Sequence, residues 1–174
     1  MDENPPLDWV IMEHLKTLLE ATPFLRDQDD TYEMVVINSG ARRNIEDAWR
    51  ANVVFIADGV EDRVQGEDEG GFFGDESPEA EDIELHALRL QIDIRHGKAT
   101  QRDMSEAIAQ VRQHCLTRRA WRDAGLADGV RYVREVGTLS IPPVEATSDD
   151  YLHVAITVQI GYAFDGGDPR TFVL

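Results

Sequence analysis

The chain has 174 residues, of which 42% are hydrophobic, and its 34 acidic residues against 17 basic ones give a formal net charge of −17. This length fits a single domain, 1–174, with enough apolar residues for a core. Such an excess of acidic over basic residues disfavours non-specific binding to nucleic acid or to an anionic membrane surface, because both require clustered Lys and Arg.

The first part of the chain predicts one helix and two short strands. Apolar residues at helical spacing after Pro5-Pro6 predict a helix over Leu7–Ala21. Runs of β-branched and aromatic residues predict strands over Tyr32–Ile37 and Asn52–Ala57, the second of which should end at Asp58-Gly59. Because the sequence shows neither a signal-peptide pattern nor an apolar run of about 20 residues, we expect a cytoplasmic protein or part of a particle assembled there.

Residues 61–82 predict an acidic, flexible loop inside the domain. They hold ten acids, one base and several glycines, and both like-charge repulsion and glycine entropy oppose a packed conformation. Glu67, Asp68 and Glu69 do not keep the alternating spacing of a calcium-binding loop, so we expect no dedicated metal site there. We expect no cofactor for the chain either. Phe72 and Phe73 would be left in water unless they fold back onto this subunit or contact a partner.

The second part begins with a strong strand pattern from Ile83. Apolar and polar residues alternate from Leu88 to Ile94, but Ile83 and Leu85 have the opposite phase. Either a bulge near His86–Ala87 reconciles the two phases, or the first residues extend beyond the sheet.

A helix and two strands follow. The helix is expected from about Thr100 to about Ala120 and begins with a capping box formed by Thr100 and Asp103. Strands are predicted over Val130–Val136, limited by Gly137, and over Tyr151–Phe164, while residues 165–174 should form a flexible tail. The fold class is therefore α+β: a small mixed, mainly antiparallel sheet with one long helix packed on one face, plus an N-terminal helix.

No catalytic motif is present in the sequence. It contains no P-loop, no dinucleotide-binding glycine pattern, no nucleophile elbow and no H-E-x-x-H, and we do not expect an enzyme. The single cysteine, Cys115, lies on the apolar stripe of the predicted helix and reads as a buried structural thiol. His86 and His153 could face each other on neighbouring strands and share a metal ion, although ordinary strand histidines are the commoner case.

The predicted helix lies in a local basic region of this acidic chain. The span Arg95–Arg122 holds seven bases against two acids. The basic helix and the acidic loop are two surfaces of opposite charge, through which this chain could contact another subunit or a partner. The candidate contacts to another subunit or partner are Arg102, Arg112, Arg118 and Arg119 on the helix, and Glu67, Asp68, Glu69, Phe72 and Phe73 in the loop.

The order of these elements resembles that of the tail terminator (tail completion) proteins of tailed bacteriophages. The resemblance spans Leu7–Phe164 and rests on the strand Leu-Arg-Leu-Gln-Ile-Asp-Ile-Arg, the capped helix and the final strand Val-Ala-Ile-Thr-Val-Gln-Ile-Gly-Tyr-Ala-Phe. It implies a subunit of a hexameric ring that caps the tail tube and joins it to the neck or head. The implied partners are further copies of itself, the tail tube protein and a neck or head–tail connector protein, with DNA only passing through the lumen and with no membrane. The implied location is the tail or neck of the virion, after assembly in the host cytoplasm.

Two other classes of protein stay open. One is a neck or head–tail connector subunit of the same particle. The other is an acidic inhibitor that mimics DNA, but its acids should be spread over a folded surface, whereas here they concentrate in one glycine-rich loop. The acidic loop and the C-terminal tail are also departures from the element order of the tail terminator family.

Overall fold

The computed structural model describes residues 5–28, 33–38, 48–63, 83–122, 129–141, 152–165 and 168–172. The acidic loop was predicted over 61–82, but residues 61–63 lie in a strand, and residues 64–82 are outside the described residues. In chain order the elements are α1 (Leu7–Glu20), α2 (Pro23–Arg26), β1 (Val35–Ile37), β2 (Arg50–Arg63), β3 (Ile83–His96), α3 (Gln101–Cys115), α4 (Arg118–Arg122), β4 (Val130–Ile141), β5 (Leu152–Asp165) and β6 (Asp168–Phe172).

The strands form one mixed, mostly antiparallel sheet in the order β1-β2-β3-β5-β4. Only β1 and β2 are parallel, and β6 pairs with the end of β5, beyond the first residues of β4. The expected mixed, mainly antiparallel sheet with helices is therefore confirmed. None of the described helices is long and apolar enough to cross a membrane.

One face of the sheet forms the core. Leu88, Leu90, Ile92 and Ile94 on β3 lie directly opposite Ile160, Val158, Ile156 and Val154 on β5, and all eight side chains are buried. The buried residues of α1 and α3 belong to the same apolar cluster, so both helices cover this face. A helix of 15 residues is about 22 Å long, whereas a strand of 14 residues spans about 46 Å. Neither helix can therefore cover the long strands from end to end.

The prediction of one long helix over about Thr100–Ala120 is wrong. The predicted capping box is present, because the Thr100 side chain accepts a hydrogen bond from the Asp103 amide and Asp103 accepts one from the Thr100 amide. The helix ends at Cys115, however, and α1 is almost as long, with 14 residues. The buried Trp121 donates its indole N–H to the Cys115 carbonyl at 2.8 Å, so the chain turns there and continues as the short α4.

Two strands run through the residues that were predicted to end them. β2 continues past Asp58-Gly59 and β4 past Gly137, because each stays paired with a long neighbouring strand and absorbs its irregularity in bulges. Neither prediction for the phase change in β3 is right. Ile83–Ala87 pair with β5 without any shift of register, and the bulges lie in β2 instead. The predicted flexible tail contains β6.

Candidate assembly interface

The four predicted arginines lie on exposed parts of α3 and α4. Arg102, Arg118 and Arg119 are exposed. Arg112 is engaged within the subunit, since its guanidinium donates two hydrogen bonds to the Glu135 carboxylate, at 2.7 and 2.8 Å. These bonds tie α3 to β4 and hold the pKa of Glu135 below its usual value. The other predicted contacts, Glu67, Asp68, Glu69, Phe72 and Phe73, fall outside the described residues.

The exposed apolar side chains of the described residues concentrate on two strands. Trp9 on α1 is 41% exposed, and the other five large apolar residues lie on β2 and β4. Their exposures are 40% for Phe55, 45% for Ile56, 48% for Val60, 52% for Val136 and 65% for Leu139. Three of the five lie within Phe55–Val60 of β2 and two within Val136–Leu139 of β4, and apolar side chains that gather in one stretch are better candidates for association than scattered ones.

Most of β2 is an open edge of the sheet. β1 pairs only with Ala51–Val53. Asn38 then closes the ladder, because its amide donates to the Val53 carbonyl at 2.8 Å and its side-chain oxygen accepts from the Phe55 amide at 2.7 Å. Asn38 has a φ of 49°, a left-handed conformation that asparagine tolerates better than most residues. Past this point, no other strand of the described chain pairs with β2 on the side away from β3.

The second open edge is β4, at the opposite side of the sheet. It pairs with β5 along one side, and its other side meets no strand among the described residues. A bulge between Glu135 and Gly137 bends it in the middle. Soluble monomers usually blunt such edges with charges, prolines or a covering loop, since unpaired N–H and C=O groups recruit other strands.

A polar cluster holds the open part of β2 to the rest of the sheet. The Tyr162 hydroxyl donates to Asp58 Oδ2 at 2.7 Å, and His86 Nδ1 lies 3.3 Å from the same oxygen. Burial, and then the hydrogen bond to Asp58, raise the pKa of Tyr162. The ring of His86 also packs edge-on against Phe164, with 4.6 Å between the ring centroids. Asp58 therefore acts as an anchor within the strand, and sequence reasoning missed it.

A second polar cluster lies on the face of the sheet opposite the helices. Asp93 accepts a hydrogen bond from Gln91 at 2.8 Å, and the nearest nitrogens of Arg95 and His153 lie 3.6 and 3.4 Å from its carboxylate. Burial alone would raise the pKa of Asp93, but His153, Gln91 and Arg95 together lower it. The prediction that His86 and His153 face each other is wrong, because His86 pairs with Tyr162 and His153 with Arg95.

The single cysteine of the chain, Cys115, is buried. Burial raises the pKa of the Cys115 thiol to about 12, which makes the thiolate scarce at neutral pH and fits a structural residue. No group of three His, Cys, Asp or Glu side chains in the described ranges is arranged to hold a metal ion.

Comparison with known proteins gives no relative for this chain. No protein-family model matches the chain, and no curated protein matches it at a significant level.

Proposed function

We propose that this chain is a structural subunit of the tail terminator type, which joins copies of itself into a ring that caps a tail tube. The observation that carries the proposal is the pair of open sheet edges, which hold five of the six exposed large apolar side chains of the described residues. Burying such edges against other copies removes apolar surface from water and pairs the unsatisfied backbone groups.

The two edges are unlike, and this favours a ring over a two-fold dimer. A symmetric dimer pairs one patch with itself, whereas a ring needs two different surfaces on each subunit, placed so that one copy meets the next. β2 and β4 lie at opposite sides of one sheet and carry different side chains. This arrangement supports a closed ring, for which six copies are the number that the resemblance implies.

The further partners follow from the same proposal. One rim of the ring would bind the tail tube protein and the other a neck or head–tail connector protein, with the exposed arginines of α3 and α4 as polar contacts. A net charge of −17 disfavours tight binding of DNA and suits a lumen through which DNA only passes. The particle would be the tail or neck of a virion, assembled in the host cytoplasm.

The test is assembly of the purified chain. We expect rings by negative-stain electron microscopy and by native mass spectrometry, and we expect those rings to bind the ends of tail tubes. Leu139→Asp should abolish the rings, because it places a charge at the most exposed apolar position of the β4 edge. Trp9→Asp is the matched control, since Trp9 is also exposed but lies on α1, and this variant should still form rings.

Three outcomes separate the functions. Rings that bind tube ends, together with tubes of uncontrolled length when the chain is lost, support a terminator. Rings that bind the connector but never the tube indicate a neck subunit instead. A chain that stays monomeric at high concentration and does not bind tail tube protein rules out both.

A further inference from the structure

We propose that neighbouring subunits join by antiparallel strand pairing, in which the open part of β2 (residues 57–63) of one copy pairs with the first part of β4 (residues 130–135) of the next copy. This inference rests on the proposed function and adds the interface through which the ring forms. The sheet would then continue from subunit to subunit around the ring.

Strand direction is the first argument. β2, β3, β5 and β4 are each antiparallel to the next strand in the sheet, so β2 and β4 run in opposite directions. A second copy placed beside the first in the same orientation therefore brings its β2 antiparallel to β4. Antiparallel pairing uses hydrogen bonds perpendicular to the strands and needs no reversal of either subunit.

Register is the second argument. Asp58 pairs with Leu88, Leu88 with Ile160, and Ile160 with Val133, so Asp58 and Val133 lie at the same level of the sheet. The same path leads from Ala57 to Arg134 through Arg89 and Gln159.

A copy placed at the same level would therefore set Ala57 opposite Arg134. Both residues lie on the face of the sheet opposite the helices, since Arg89 and Gln159 alternate with the core residues of β3 and β5. Directly opposite residues share a face in a sheet, so this pairing keeps the helix-covered faces of the two copies on the same side.

The short β1 and the bulge in β4 allow two copies to pair with Ala57 opposite Arg134 without a collision between β1 and β4. The last residue of β1, Ile37, lies level with Thr138, as traced through Val53, Ile92 and Ile156. A straight β4 would collide with β1 of the neighbour at that level. The bulge after Glu135 bends β4 just before it, and the exposed Val136 and Leu139 would then pack beside that strand.

The charges of the two segments are opposite. The open part of β2 contains Asp58, Glu61 and Asp62 against Arg63, whereas the facing part of β4 contains Arg131 and Arg134. Glu135 on β4 is already bound to Arg112, as Asp58 on β2 is to Tyr162. In the register above, Arg134 faces Ala57 and Asp58 faces Val133, so no acid lies directly opposite an arginine, and the opposite net charges favour the approach of the two edges rather than one cross-strand pair. Strand direction, register and net charge are all compatible with the same placement, and a second copy of the chain is therefore the occupant that we propose for each edge.

Disulfide cross-linking tests the pairing. Ala57→Cys and Arg134→Cys change exposed side chains, and two cysteines cross-link only when their Cα atoms lie within about 7 Å. When the two variants are mixed and oxidised, we expect a cross-linked dimer that neither variant gives alone. The native Cys115 stays in place, since it is buried and its pKa is raised. Ala57→Cys mixed with Leu139→Cys is the matched control and should give none, because Leu139 lies five residues further along β4.

The outcomes separate this inference from the proposed function. Rings together with the 57–134 cross-link support both. Rings without that cross-link, or with the 57–139 cross-link instead, overturn the strand pairing and leave the ring standing. Far-ultraviolet circular dichroism that matches the parent chain shows that the variants are folded. With folded variants, the absence of both rings and cross-links overturns both proposals.

Discussion

Gly161 on β5 is a position where the methyl group added by an alanine substitution should lower the free energy of unfolding. A Cβ atom built there would lie 2.2 Å from Cε1 of Tyr132, directly across the strand pair. The tyrosine ring cannot simply move aside. Its hydroxyl accepts a hydrogen bond from the buried Gln159 at 2.9 Å, and the Arg134 guanidinium lies over the ring, 5.1 Å from its centroid.

The expected cost of Gly161→Ala is the difference between two effects. Overpacking of this kind costs about 1–3 kcal/mol, and the loss of glycine's freedom in the unfolded chain offsets about 0.4–1 kcal/mol. We therefore expect a net loss of roughly 0–2.6 kcal/mol in the free energy of unfolding, towards the upper end because the new contact would be only 2.2 Å long. Gly137→Ala is the matched control, because a Cβ at this strand glycine of β4 would meet nothing within 4 Å. It should be neutral or stabilising.

Urea denaturation at one fixed protein concentration measures both variants, since any ring would make stability depend on concentration. The decisive measurement is a double-mutant cycle with Tyr132→Ala, which removes the ring that the new methyl group would meet. In that background the cost of Gly161→Ala should disappear, giving a coupling energy of about 1 kcal/mol or more. An unchanged cost without the Tyr132 ring, or equal behaviour of the two glycine variants, would refute the reasoning.

Three further predictions concern the helices. Thr100→Ala should lower the free energy of unfolding by about 1 kcal/mol, because it removes half of the capping box, whereas Ser105→Ala on the exposed face of the same helix should not; urea midpoints check this. Cys115 should react with a thiol reagent only as fast as the chain unfolds, and rapid labelling of the native protein would contradict its burial. Burial lowers the pKa of His14, so the unfolded chain binds the proton more readily and stability should fall as the pH drops below about 6.5. His14→Phe keeps a ring against Trp121 and should reduce that fall, by up to about 1.4 kcal/mol per pH unit, whereas His114→Gln on an exposed position should not; unfolding at pH 7 and pH 5 decides it.

Hydrophobic alternation was enough to predict the centre of the fold. The apolar residues of Leu88–Ile94 and of Val154–Ile160 are buried as the pattern indicated, and the start of α3 has the predicted capping box. These features depend on neighbouring residues in the sequence. The end of α3 does not, because it is set by Trp121, whose burial and hydrogen bond turn the chain after Cys115.

The strand errors have the same origin. The local sequence Asp58-Gly59 predicts a turn. Asp58 nevertheless lies within β2, where it accepts a hydrogen bond from Tyr162, which is 104 residues away in the sequence. Gly137 reads as a strand end, yet β5 keeps β4 paired on both sides of it. The meeting of His86 and His153 was predicted without a register, and the register places His86 opposite Tyr162 and His153 opposite Arg95. A partner far away in the chain decides each case.

The open edge of β2 could not be predicted from the sequence, because alternation shows that a strand is half buried but not where it lies in the sheet. What leaves β2 open is the shortness of β1, which has only three residues. Its end is well defined: Asn38 donates to Val53 and accepts from Phe55, so the last groups of the ladder are satisfied at one residue. The pairing of β1 with β2 therefore ends at a defined residue, whereas β2 itself continues as a regular strand with Phe55, Ile56 and Val60 exposed. The sequence therefore specifies where pairing with β1 stops, and the eight residues Ile56–Arg63 at the end of β2 have no strand of the described chain beside them on the side away from β3, which is where the proposed pairing with another copy would form.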